Sequence, residues 1–119
     1  MMQQLLLVAL GGAAGSVLRF LGQRIGNNLI FPYGTLAVNI IGCLVMGILW
    51  GLFIKDQLHN TTRLLLMTGF CGGFTTFSAF THESIQMLVE QRWSAFLLYI
   101  VVSVAAGLLA TFTGYKLIH

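Results

Sequence analysis

Phe77 and Phe80 stand three residues apart in the run "GFCGGFTTFSAFTHES", which occupies residues 69–84. At that spacing two rings share one face of a helix, about one turn apart. An aromatic ring has a negative face and a positive edge. Ring edges can therefore solvate an anion without a fixed charge that would hold it too tightly, and conduction needs sites that attract and let go. Thr76, Ser78 and Asn39, with the hydroxyl of Tyr99, could add hydrogen-bond donors to such a face. The ordinary reading of phenylalanines in an apolar helix is packing, and spacing alone does not decide between the two.

Directly upstream, "GGFTT" at residues 72–76 interrupts the same helix. Glycine costs about 1 kcal/mol in a helix relative to alanine. Carbonyls freed by a break in hydrocarbon must find partners, because each unsatisfied group costs several kcal/mol. A cation held by backbone carbonyls would meet that need, and two carbonyls from each of two copies would supply four ligands. No carboxylate lies at this depth, which favours a monovalent over a divalent ion. Glycines that only permit close helix crossing are the competing account.

The elements that must position these groups follow from composition. The chain has 119 residues, of which 57% are hydrophobic and 8% charged, and its mean hydropathy is +0.89. Soluble domains carry about a quarter charged residues, so this is an integral membrane protein. A span needs roughly 20 apolar residues, and four segments qualify, at about 4–26, 34–54, 63–89 and 93–117. Helices satisfy their own backbone in lipid. The expected fold is thus all-α, one domain over residues 1–119 with four transmembrane helices and a broken third. The net charge of +3 is scattered and lacks the clustered stripe of a nucleic-acid surface. Cys43 and Cys71 sit in apolar runs and read as small buried hydrophobes. Pairs such as Gly11 and Gly15, Gly22 and Gly26, and Gly47 and Gly51 have the spacing of close helix packing.

The intramembrane polar groups share one half of the bilayer. With about 1.5 Å per residue, Gly72 falls near the midplane. Arg19, Thr35, Asn39, Ser78, Glu83, Tyr99 and Ser103 all fall on one side of it. Thr35 and Asn39, four apart, are expected to hydrogen-bond to each other and orient the amide. A polar path that stops at the midplane conducts nothing, whereas an inverted second copy would complete it. Lys55, Arg63 and Lys116 on one side balance Arg24 and Arg92, with Arg19, on the other. So small a bias predicts insertion both ways and an antiparallel, dual-topology homodimer.

"GGAAGSVLRF" in the first span, "PYGTLAVNIIG" entering the second and "GFCGGFTTFSAF" in the third together resemble the CrcB/Fluc fluoride channel family. The motifs keep the family's order and spacing over nearly the whole chain. The resemblance implies a fluoride-selective channel of the bacterial inner membrane, built as an antiparallel homodimer with two pores. It implies a central sodium ion on the backbone carbonyls of Gly72 and Thr75. Phe77 and Phe80 match the pore phenylalanines, Asn39 the second-span asparagine, and Tyr99 and Ser103 the fourth-span polar track. Arg19, Thr35 and Glu83 are supporting polar groups at its mouth. Ala79 stands where the family often has threonine, and Gly107 where it often has serine.

Two other readings compete. A small dual-topology, proton-coupled multidrug exporter has similar length, but it needs a carboxylate in its first span, where this chain has Arg19 and no acid. A subunit that only helps assemble a larger membrane complex would leave the Phe-Ser-Ala-Phe run beside a glycine break unexplained. No enzyme motif is present: there is no P-loop, and "HES" at His82 lacks the second histidine of a zinc-protease helix.

Overall fold

The computed structural model describes all 119 residues, Met1–His119. Four helices are long and apolar enough to cross a membrane: α1 (Met2–Gly26), α2 (Tyr33–Ile54), α3 (Asn60–Val89) and α4 (Trp93–Ile118). The molecule is 47 Å along its longest axis, close to the ~40–45 Å of a bilayer with its headgroups. Only 17 of the 119 residues are buried, and side chains such as Leu10, Val101, Leu108 and Leu109 are largely exposed. In water that surface would be untenable; facing lipid tails it is the expected one.

α2 packs most extensively on α4, and α1 on the first half of α3. Glycines make both contacts possible. A Cβ on Gly11 would lie 2.8 Å from the Phe70 amide nitrogen, and one on Gly15 would lie 2.8 Å from that of Phe74. A Cβ on Gly47 would lie 2.9 Å from the Thr111 carbonyl carbon, and one on Gly114 would lie 2.8 Å from the Ile48 nitrogen. At these points backbone rests on backbone, as small residues allow in membranes.

The turns are short and polar. Asn28 Oδ1 accepts from the amides of Ile30 (2.8 Å) and Phe31 (2.9 Å), and Pro32 then starts α2. Asp56 (φ 58°) and Gln91 (φ 60°) adopt the left-handed conformation just past the ends of α2 and α3, where it commonly terminates helices.

α3 begins at Asn60 rather than Arg63, and Asn60 Oδ1 receives Arg63 Nε (3.2 Å) and Nη2 (2.9 Å). The helix is not uniform. Leu64–Cys71 is π-helical, Gly72–Phe74 returns to α geometry, and the helix resumes at Phe77–Val89. Thr75 and Thr76 form the break between the halves. π-Turns are frequent at functional sites, and this stretch leads directly into the break.

Candidate anion pathway

The break is built by two extended residues, Thr75 (φ −87°, ψ 155°) and Thr76 (φ −147°, ψ 117°). Their polar groups are almost fully engaged. The Thr75 amide and hydroxyl both donate to the Cys71 carbonyl, at 3.0 and 2.9 Å. The Thr76 amide donates to Asn39 Oδ1 (2.8 Å), and Asn39 Nδ2 donates to the Thr76 carbonyl (3.1 Å). Thr76 Oγ1 then caps the second half of α3 by accepting from the Ala79 amide (3.1 Å), the usual work of a threonine N-cap. It also lies 3.2 Å from Ser78 Oγ. Asn39 is therefore oriented by the Thr76 peptide. The expected bond between Asn39 and Thr35 is not made, because Thr35 is committed elsewhere.

Arg19 reaches the same break from α1. Its Nε donates to the Gly73 carbonyl (3.0 Å) and its Nη1 to Gln23 Oε1 (3.2 Å). No carboxylate pairs with it; the chain's one ion pair is Arg92 with Glu90. The two glycines of the break differ in role. A Cβ on Gly73 would lie 3.0 Å from Gly12 Cα and Ser16 Oγ, whereas Gly72 has open space around it. Gly73 is thus a packing glycine and Gly72 is not.

Two clefts meet at Thr75, Thr76 and Phe77. One is walled by these with Arg19, Ser78, His82 and Gly72, among others. The second, of about 320 Å³, takes Asn39, Phe80 and Ser103 together with Cys43, Cys71 and Thr111. Phe77 is 76% exposed, and its ring centroid lies 5.8 Å from that of Phe80. Neither cleft is lined by aspartate or glutamate.

Thr35, Glu83 and Tyr99 lie behind these clefts in a partly buried network. Glu83 accepts from Tyr99 Oη at 2.7 Å, from Thr35 Oγ1 at 2.8 Å and from Asn27 Nδ2 at 3.1 Å. Thr35 Oγ1 in turn accepts from Gln23 Nε2 and Asn27 Nδ2, both at 3.1 Å. Thr35 and Tyr99 have no exposed surface. In this arrangement the Tyr99 proton is spent on Glu83 and its ring backs Phe80, with centroids 5.1 Å apart. Tyr99 lines neither cleft. A satisfied network of this kind holds a unique geometry, and no buried side-chain polar atom in the chain lacks a partner.

Gln23, Asn27, Ser16 and the location of His82 were not anticipated from sequence. The signal existed for two of them: Arg19, Gln23 and Asn27 recur every four residues, which puts Arg19 and Gln23 on one face of α1 with Asn27 just past its end.

The family described as CrcB-like protein, Camphor Resistance (CrcB), matches residues 6–115 of the chain. The "Fluoride-specific ion channel FluC" of Phocaeicola vulgatus is 45% identical over 117 residues, covering 95% of this chain and 96% of that one. The FluC of Methylobacillus flagellatus is 46% identical over 122 residues, covering 98% and 95%. "Fluoride-specific ion channel FluC 2" of Rhodococcus jostii is 46% identical over 113 residues, covering 94% and 96%. With matches of this extent on a four-span fold, the chain belongs to the CrcB-like family.

Proposed function

We propose that this protein is a fluoride channel of the inner membrane that lets cytoplasmic fluoride leave passively, and that it is not an enzyme. Relatives of similar length across the alignment bear that activity in their names. The observation that carries the reading within this chain is electrostatic. Phe77, Phe80, Asn39 and Ser103 line a groove free of carboxylates, Arg19 at the adjoining cleft has no acidic partner, and Glu83 is turned away with three donors on it. Such a lining suits an anion and repels no charge of its sign.

Hydrogen fluoride crosses membranes uncharged and ionises inside. An inside-negative potential then drives the anion out with roughly 2.3 kcal/mol per 100 mV. In this account Arg19 draws the ion to the cleft. Ser78 and Thr76 offer hydroxyls, Phe77 and Phe80 offer ring edges, and Asn39 and Ser103 add polar contacts along the groove. Thr35, Glu83 and Tyr99 hold the walls. The exporter reading lacks its necessary group, since α1 carries no acid.

We further infer that residues 1–119 act as one domain and that two copies pair antiparallel. The one-sided polar groups and the exposure of Phe77 support this, because a single copy leaves half the bilayer without a path. A sodium ion at the centre fits the break. The Thr75 carbonyl accepts no hydrogen bond within the chain, Gly72 beside it is open, and backbone carbonyls at breaks in membrane helices coordinate monovalent cations. Gly72 and Thr75 of each copy would hold the ion, which when bound supplies positive charge to otherwise unpaired carbonyls.

Growth tests the function. A fluoride-sensitive bacterium lacking its own exporter should regain growth on fluoride when it expresses this chain. Failure despite normal membrane expression contradicts the reading.

A further inference from the structure

The cleft beneath Arg19 carries a second basic side chain that the pathway above does not use. His82 is exposed and lies on the wall with Ser16, Arg19, Thr76 and Ser78. It stands three residues after Ala79, on the same helical face, where Ala79 offers no hydroxyl. Every residue of this wall comes from α1 or α3. Arg19 is therefore the charged group facing His82 from α1, and α2 and α4 present none. Glu83, its neighbour in sequence, has its carboxylate bound to Tyr99, Thr35 and Asn27 and lines no part of the cleft.

We propose that His82 is a second anion-binding group of this entry cleft, acting with Arg19 and the Ser78 hydroxyl to gather small anions ahead of Phe77. This rests on the fluoride-channel reading. A neutral imidazole offers one N–H donor, and the protonated ring offers two together with a positive charge. Histidine is the side chain that ordinarily changes charge between about pH 5 and 8. Two like charges on one concave wall focus anions from solution and raise their rate of entry. The effect is strongest at low ionic strength, since salt screens charges beyond about 10 Å at 0.1 M.

The test is sodium fluoride current through the purified full chain in planar bilayers, at low and high ionic strength, between about pH 8 and about pH 5.5. Neutral hydrogen fluoride carries no current, so its leak does not enter the reading. The wild-type current should rise about twofold on acidification at low ionic strength, and the rise should flatten in high salt. His82→Ala should give a lower current with no pH dependence. His82→Gln, which keeps a donor without a titratable charge, should also be flat, and His82→Lys should be high at both pH values. A wild-type current independent of pH overturns the proposal, as does a pH rise that survives in His82→Gln. Absence of current at every pH would instead refute the channel reading on which it rests.

Discussion

The side-chain amide of Asn39 brackets the peptide unit of Thr76 at both ends, receiving its N–H at 2.8 Å and donating to its carbonyl at 3.1 Å. The α3 break is thereby stitched to α2 by a residue that also lines the cleft with Phe77 and Phe80. Asn39→Asp keeps the acceptor, loses the donor and sets negative charge against the Thr76 carbonyl. Asn39→Ser is too short to bridge and leaves two backbone groups to find other partners, at about 1–3 kcal/mol each. We expect both to lower fluoride flux, with Asp the more severe because it adds repulsion to an anion path. Flux through both variants in reconstituted vesicles checks this, and the reverse order would point toward cation transport.

Phe77→Ile and Phe80→Ile nearly conserve volume while removing the positive ring edge. Phe77 is largely exposed in the chain, so its loss should cost little folding stability. Each variant should assemble normally and conduct at least about tenfold less fluoride, the effect of roughly 1.4 kcal/mol. Wild-type flux in both would remove the rings from the account.

Gly114→Ala puts a methyl group 2.8 Å from the Ile48 nitrogen and nearer still to the Leu44 carbonyl, on the α2–α4 contact. Overpacking of this sort costs about 1–3 kcal/mol. Thermal unfolding in detergent should show that loss, whereas Gly72→Ala, with open space around it, should not show it through packing. Equal destabilisation by the two would tie Gly72 to something other than room for a side chain.

If sodium sits on the Thr75 carbonyls as proposed, replacing it by a bulky organic cation should lower the unfolding temperature of the assembled protein, because those carbonyls would lose that partner. Readdition of sodium should restore it. An unfolding temperature insensitive to the exchange contradicts a bound sodium ion.

Two lysines added to the loop at Glu90–Trp93 should bias the chain to a single orientation. Expressed alone, that variant should be inactive, and co-expression with a copy biased the other way should restore activity. A single-orientation variant that conducts by itself would rule out the antiparallel pair.

The helices and the break were legible because their signals are local. Runs of about twenty apolar residues need no context, and two glycines followed by two threonines weaken one helical turn wherever they occur. What escaped depended on where side chains point. Thr35 and Asn39 have the spacing of a hydrogen-bonded pair, yet Gln23 of α1, Asn27 just past its end and Glu83 of α3 compete for Thr35, while the Thr76 peptide captures Asn39. Tyr99 reads as a hydroxyl of the polar track from its depth, and its bond to Glu83 joins residues on different helices, which spacing cannot reveal. The π-helical turns of Leu64–Cys71 have no compositional mark at all, since the same residues would make an ordinary α-helix. Arg19 could be placed toward the end of its span, but the backbone carbonyl it binds at Gly73 exists as a partner only because α1 and α3 meet on glycines.

The most direct test is fluoride efflux from liposomes that contain only this purified chain, read with a fluoride electrode under a potassium diffusion potential, beside matched chloride-loaded vesicles. The account predicts rapid, electrically driven fluoride release that empties every vesicle holding an assembled channel, with far slower chloride release. Fluoride release no faster than from protein-free vesicles, or equal release of the two anions, would contradict it.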